Sequence, residues 1–596
     1  MDTNRLKRFA QDARRELQKI VKALLPLVLA ENSAARREKP QAVTELEKAL
    51  RTQGNEALID KIAYTWFNRF CALRFMDVMG YNSIRIVSPL PGHFQPEILE
   101  EAKGGNIDET FVADSKYRAR IKGLLDGSIP AVDGQAEAYK LLLVSACNAY
   151  NKVMPFLFQK IDDYTELLLP DDLMKENSIL MKTRDAITED VAADGVEVIG
   201  WLYQFYISEK KDEVMGKTVK TEDIPAATQL FTPDWIVRYL VQNSLGRLWM
   251  LNHPNSKLAD DMEYYIPPTE EDKDFLEVKS PEELKICDPC CGSGHMLTYA
   301  FDLLVKIYEE EGYDRRKIPT LILLKNLHGV EIDTRAGELA AFALTMKARE
   351  YDSRFLRREN APYPQICVLQ NIAFDEGEIP QYMDAIGHDL FTESLQQTLH
   401  QFTQADCFGS LIVPKISNAA SIMDVLTERG VEAELFLAKV HDKVLDVINQ
   451  ADYLSQKYHV VVTNPPYMGG KGMNADLKRF AERLYPDSKS DLFAMFIERC
   501  LELVQHQGTI GMITMQSWMF LSSFEKLRTK LLDKNTILSM AHLGARGFDS
   551  IGGEVVQTTA FTMTNTIIPD YKGAFIRLVD GNNEAEKAAM FQEAIR

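Results

Sequence analysis

Apolar residues recur at helical spacing through the first 225 residues. Residues 62–79 (IAYTWFNRFCALRFMDVM) interleave Arg69, Arg74 and Asp77 with aromatic and aliphatic side chains, and 140–150 and 198–207 read as further buried helices. Strand-like runs with turn punctuation are scarce here. The pattern predicts a helical N-terminal domain over 1–225, in which Trp66, Phe67, Phe70 and Phe75 read as core packing rather than as a platform for stacking bases. An apolar patch at 24–30 follows Asp12, Arg14, Arg15, Glu16 and Lys19 and is interrupted by Pro26. It is too short and too mixed for a signal peptide or a spanning helix, and reads as one face of an amphipathic helix.

From 226 the texture changes. Short β-like runs alternate with helices: 284–287 running into Asp288, 327–332 into Asp333, 366–369 before Gln370 and Asn371, 459–463 into Asn464, and 509–514. Strands alternating with helices predict an α/β, Rossmann-like, doubly wound sheet, with ligands at the carboxyl ends of its strands. A helical stretch (393–402, 422–428, 432–449) predicts an insertion over 376–455. It separates a first half of the sheet domain, 226–375, from a second half, 456–596. The chain stops at Arg596 inside a helix-like run, 583–595, with neither cap nor turn signal, which reads as a truncation or a domain boundary.

Composition changes little in this picture. The 596 residues are 46% hydrophobic and 26% charged, which is ordinary for a soluble globular chain large enough to bury its cores without staples. Of the eight cysteines only Cys287, Cys290 and Cys291 cluster, with no second pair at zinc-site spacing, so they read as reduced thiols of a cytoplasmic protein and no metal is expected. The net charge of −19 is unfavourable for a partner rich in phosphate, but a basic cleft can sit on an acidic protein. Part of the excess is local: 260–283 holds ten acidic residues against Lys273 and Lys279, with Pro267, Pro268 and Pro281, and reads as a solvated excursion.

Chemistry gathers at the predicted strand ends. Asp288-Pro289-Cys290-Cys291-Gly292-Ser293-Gly294 follows one strand and precedes a helix from His295. Gly292 and Gly294 allow positive φ and close approach of a ligand, and the helix start offers free N–H groups. The spacing is neither GxGxxG nor a P-loop. Glu331, ending the next strand, suits the two hydroxyls of a ribose, with Ile332 against an adenine ring and Asn371 at its edge. Phe231-Thr232-Pro233 reads as a helix start with Thr232 as N-cap and Pro233 in the first turn. The sharpest signal is Asn464-Pro465-Pro466-Tyr467. Two prolines hold an extended loop with few donors. The Asn464 side-chain oxygen and the Pro465 carbonyl can then accept both hydrogens of one planar NH₂, and Tyr467 supplies a flat face for its ring.

In this order these motifs resemble the amino-methyltransferases that act on DNA. The resemblance assigns Asp288, Pro289, Cys290, Gly292 and Gly294 to the methionine part of S-adenosyl-L-methionine (SAM), Glu331 and Ile332 to its nucleoside, Thr232 and Pro233 to a further cofactor contact, and Asn464 to Tyr467 to catalysis. It implies a SAM-methyltransferase sheet, with 226–375 as the SAM-binding half and 456–596 as the catalytic half. NPPY rather than SPPY implies adenine over cytosine, and Phe561 is a further candidate for stacking on the flipped base. The helical N-terminus with AYTWFNRFCALRFMDVMGY, the segment QLFTPDWIVRYLVQNSLG and the long insertion are similar to the PglX family of methyltransferases in BREX phage-defence systems; members are about twice this length, so the resemblance implies that their C-terminal recognition half lies outside this sequence. That resemblance implies double-stranded DNA, other BREX proteins and a phage DNA-mimic inhibitor as partners, and no membrane. Two other readings stay open: a SAM-binding, DNA-recognising regulatory subunit inactive alone, and a methyltransferase of glutamine amides or RNA amines, which shares NPPY.

Overall fold

The structure, a computed structural model, describes residues 3–159, 164–214, 216–268, 275–387, 391–429, 435–549 and 556–596. Residues 269–274 of the acidic excursion and 432–434 of the expected insertion helix lie outside the described residues. Two compact units form: Met1–Glu209 with Ala348–Tyr363, and Lys210–Lys347 with Pro364–Arg596.

The first unit is helical. Its opening helix, Thr3–Leu29, buries Leu6, Ala10, Ala13, Leu17, Val21 and Leu25, a single inward stripe. The helix Asn55–Val78 is instead buried on all sides. Trp66, Phe67, Phe70 and Phe75 have no free face and are packing residues. Some of the polar atoms that enter with them find partners: Trp66 Nε1 donates to the Thr165 carbonyl at 3.0 Å, and Arg69 Nε to the Leu157 carbonyl at 3.3 Å. The buried Asp77 carboxylate accepts from the backbone N–H groups of Ile86, Val87 and Ser88 at 2.8–3.0 Å. Such bonding is what makes a charge tolerable inside an apolar core.

The second unit is built on an eight-stranded sheet: β1 (Ile286–Asp288), β2 (Leu327–Glu331), β3 (Gln365–Val368), β4 (Tyr458–Thr463), β5 (Val504–Met515), β6 (Thr536–Gly544), β7 (Thr558–Thr564) and β8 (Ala574–Arg577). The order is β3-β2-β1-β4-β5-β7-β6-β8. β1 to β5 pair in parallel, β7 runs antiparallel to both β5 and β6, and β8 is parallel to β6. This is the Rossmann-like sheet of SAM-dependent methyltransferases, with its reversed seventh strand. The chain winds outward from β1 through β2 to β3, then resumes on the other side of β1 with β4 and β5. At that switch the loops leaving β1 and β4 part, and a crevice opens between them.

Helices fill the connections, among them His295–Glu310 after β1, Thr334–Tyr351 after β2 and Leu492–Leu503 before β5. Between β3 and β4 lie Glu378–Ile386, Thr392–Gln401, Ala419–Arg429 and Leu435–Ser455. The helix Asp234–Val241 approaches β5 at Gly511, where an added Cβ would sit 3.2 Å from the Leu240 carbonyl oxygen. Residues 216–228 belong to this unit, and Val219 N donates to the Gly472 carbonyl at 2.8 Å. No helix among the described residues is long and apolar enough to cross a membrane.

Two expectations need correction. The strand expected at 509–514 is twice as long, because its early residues bond outward: Tyr458 pairs with Val504 before a register shift. Phe561 does not face a substrate. It sits mid-β7, fully buried, paired with Met512 and Met540, its ring 5.3 Å from Trp518. Phe561→Ala is therefore expected to destabilise this unit by about 3–5 kcal/mol, the usual cost of emptying a buried aromatic site. Chemical denaturation checks this; an unchanged midpoint would show that the site is not packed as described.

Candidate active site

One open cleft of about 980 Å³ lies at the carboxyl edge of β1, β2 and β4. Residues distant in sequence line it together: Phe231 and Thr232, the loop Asp288 to Ser293, Glu331 and Ile332, and Asn464 to Pro466.

The Gly loop follows β1. Gly292 and Gly294 take φ of 53° and 88°, the region that disfavours other residues. At Gly294 an added Cβ would lie 3.1 Å from Ala340 Cα, so the next helix leaves no room for one. Two carboxylates hold the loop. Asp288 Oδ1 accepts from Cys290 N at 3.0 Å, and Glu331 Oε2 from Gly292 N at 2.8 Å. Glu331 Oε1 accepts from Ile332 N and Asp333 N at 2.8 and 2.9 Å. Burial pushes both carboxyls up to about 7 despite these donors; the charge of Glu331 adds to the rise at Asp288, and that of Asp333 to the rise at Glu331.

His295, the first residue of the helix after Gly294, also lines the cleft. Neither ring nitrogen meets a partner, the ring lies 4.3 Å from that of Phe231, and burial lowers its pKa to about 4. It is a neutral imidazole with one donor and one acceptor to offer. Its signal was its place directly after the second glycine.

The Asn-Pro-Pro-Tyr loop follows β4. Asn464 Nδ2 donates to the Thr232 hydroxyl at 3.0 Å and the Leu230 carbonyl at 3.2 Å. The Tyr467 hydroxyl lies 2.7 Å from Asn464 Oδ1 and 3.1 Å from the Ile513 carbonyl oxygen. Tyr467 is thus pinned by its hydroxyl, with its ring edge-on to Phe493 at 6.3 Å. Asp491, which caps the helix Leu492–Leu503, anchors the far side of the loop by accepting from Met468 N at 3.0 Å.

Several expected residues fall elsewhere. Thr232 is not an N-cap: the helix begins at Asp234, Pro233 precedes it without a side-chain bond, and the Thr232 hydroxyl serves Asn464 instead. Pro233, Gly294 and Tyr467 stand behind the lining rather than in it. Asn371 is exposed and outside the lining, its oxygen accepting from Asp406 N at 3.1 Å. It steadies the segment that actually forms the wall, Cys407 to Leu411, which no motif announced. That strap is tied down from three sides. The Ser410 hydroxyl donates to the Pro289 carbonyl at 2.6 Å, the Tyr485 hydroxyl to the Leu411 carbonyl at 2.7 Å, and the buried Arg499 to the carbonyls of Ser410, Ile412 and Leu454 at 2.6–2.9 Å.

Comparison with known proteins follows the same lines. Residues 325–548 match the family model of the Eco57I restriction-modification methylase, and 271–378 that of the MmeI DNA-methyltransferase domain. The adenine-specific methyltransferase BrxX of Escherichia coli O9:H4 (strain HS) is 43% identical over 98% of this chain and 52% of its own length. The adenine-specific methyltransferase PglX of Lacticaseibacillus casei (strain Zhang) is 35% identical over 100% of this chain and 53% of its own. Over nearly its whole length the chain is similar to these PglX and BrxX methyltransferases. It spans about half the length of these relatives. The solved complex of the type IIL restriction-modification enzyme MmeI with DNA is 13% identical, with a TM-score of 0.46, over 98% of this chain and 59% of that one. At that score the likeness adds nothing to what the strand order already shows.

The two carboxyls set a pH dependence. In the folded chain Asp288 and Glu331 keep protons up to about pH 7, whereas unfolded they lose them near their ordinary values of 3.8 and 4.5. The folded state binds more protons in that window, so their contribution to stability falls as pH rises from about 4 to about 7 and is level above it. Denaturation across this range should show the fall, and Asp288→Asn with Glu331→Gln should flatten it. Equal slopes in both proteins would contradict the assignment.

Proposed function

We propose that this chain transfers a methyl group from SAM to the exocyclic N6 of adenine in DNA, as the catalytic part of a BREX-type phage-defence methyltransferase. The observation that carries the reading is the single cleft in which the Gly loop and Glu331 face Asn464 and the two prolines.

The residues present fit SAM. His295 offers two unpartnered ring nitrogens and Glu331 offers carboxyl oxygens at a strand end, on the wall of one cleft. When bound, SAM supplies an electrophilic methyl group. Asp288, Pro289, Cys290, Gly292 and Gly294 would form its methionine end, and Glu331 and Ile332 its nucleoside end, with Thr232 and Pro233 at the entrance to the catalytic loop.

Asn464 and Pro465 would hold the amine. The Asn464 amide nitrogen is already committed to Leu230 and Thr232, which fixes the direction of its oxygen. That oxygen and the Pro465 carbonyl would accept the two amine hydrogens and aim the nitrogen lone pair along one line. Pro466 keeps the loop extended, and Tyr467 fixes it through its hydroxyl. No strong base is required, because the amine proton becomes acidic only as the new bond to nitrogen forms; positioning supplies the acceleration. The adenine must leave the duplex stack to reach the cleft. Double-stranded DNA is then the substrate, the cytoplasm its setting, and other BREX proteins and a phage DNA-mimic inhibitor its expected partners. Relatives named as adenine-specific favour this reading over an amide or RNA methyltransferase.

The chain and its Asn464→Ala variant should be incubated with methyl-labelled SAM and mixed-sequence DNA, and the nucleosides separated by mass spectrometry. Labelled N6-methyladenine is expected from the first and a loss of at least about a hundredfold from the second, with SAM binding retained. Label in cytosine would overturn the adenine assignment. SAM binding without any label would favour the regulatory reading.

A further inference from the structure

The edge of the sheet is not level. β4 ends at Thr463, which pairs with Met512, whereas β5 runs on to Met515. Three further residues carry β5 about 10 Å beyond the start of the catalytic loop. Two short turns follow, Gln516–Met519 and Ser522–Phe524. They stay beside the catalytic loop: the Tyr467 ring meets Phe493 at 6.3 Å, and Phe493 meets Phe524 at 5.8 Å.

Between these turns Phe520 and Leu521 are 60% and 52% exposed. They are not loose. Phe520 N and Leu521 N both donate to the Ser517 carbonyl, at 3.2 and 3.0 Å. Arg528 donates to the carbonyls of Trp518 and Leu521 at 2.8 and 2.6 Å. Trp518 is buried, its Nε1 on the Thr514 hydroxyl at 3.1 Å. The helix that follows, Glu525–Lys534, carries Lys526, Arg528, Lys530 and Lys534 against Glu525 and Asp533. Lys526 and Lys534 are exposed, a basic strip on a chain whose net charge is −19.

An exposed aromatic side chain on a turn whose backbone is tied down, next to a basic helix and the site that would receive an extruded base, has a natural occupant. We propose that Phe520, with Leu521 beside it, wedges into the stack of duplex DNA where the target adenine leaves it, while Lys526 and Lys534 face the phosphates. An apolar side chain placed between base steps offsets part of the lost stacking and holds the gap open. The inference rests on the DNA-adenine reading above.

The test compares two substrates. Sequencing of methylated DNA gives the adenine that the wild-type chain modifies. Duplexes are then made with that adenine opposite thymine or opposite an abasic site, where extrusion is already easy. Phe520→Ala should lower kcat/KM on the ordinary duplex by about tenfold or more, and this deficit should largely disappear on the abasic duplex. Phe520→Trp should restore activity on the ordinary duplex. With 2-aminopurine at the target position, the wild type should raise the fluorescence and Phe520→Ala should not. A cofactor-induced thermal shift equal to that of the wild type shows that the variant is folded. Equal loss on both duplexes would make the patch a protein contact and overturn the wedge, as would no loss on either. A wild-type chain that binds SAM but modifies neither duplex overturns the DNA-adenine reading together with the wedge.

Discussion

Backbone hydrogen bonds between β1 and β4 hold Ile286 beside Val460 and Cys287 beside Val461. These segments are separated in sequence by two strands and the whole helical insertion, so their pairing closes a very long loop. That pairing places the loop beginning at Asp288 next to the loop beginning at Asn464. Because the chain departs in opposite directions from these two strands, neither loop can cover the other, and the crevice is a consequence of topology rather than of any special side chain. The remaining contacts at the site adjust a geometry that this pairing has already set.

Buried polar groups do the adjusting. Asp288 and Glu331 are held in an apolar surround that lifts both carboxyls to about 7, and they are tolerated because backbone N–H groups of their own loops point at them. The same bonds fix the path of the Gly loop. On the opposite wall Arg499 does with its guanidinium what the carboxylates do with their oxygens: it gathers the carbonyls of Ser410, Ile412 and Leu454 around one buried charge. The insertion, which interrupts the sheet in sequence, thereby becomes part of the site. Phe408 of that strap stacks on Phe480 at 4.2 Å, which ties it to the helix Ala475–Leu484 as well.

Much of the fold could be read from local pattern. The first five strands were announced by apolar runs, the first four of them running into a polar residue, because parallel strands buried on both faces read as short continuous hydrophobic segments. β6 to β8 were not. β7 is entirely buried yet rich in threonine (TTAFTMT), so neither alternation nor a plain apolar run marks it. The same burial explains Phe561, where an aromatic residue in an unassigned stretch was taken for a base platform. Thr232 was read as a cap because Thr-Pro before a helix suits one; its hydroxyl was claimed instead by an asparagine 232 positions away.

The sequence by itself determined the chemistry that depends on residue type and short spacing: the Gly turn after a strand, the carboxylate ending the next strand, and the rigid Asn-Pro-Pro-Tyr loop. These are legible because backbone conformation at glycine and proline is a local property. Only the tertiary structure decided which of these segments face each other, that Asn464 is oriented by Leu230 and Thr232, that residues 407–411 form a wall of the cleft, and that Phe520 stands exposed beyond the sheet edge. Those are long-range facts. They follow from strand register and from where buried polar groups find partners, and neither is encoded within any one stretch of the chain.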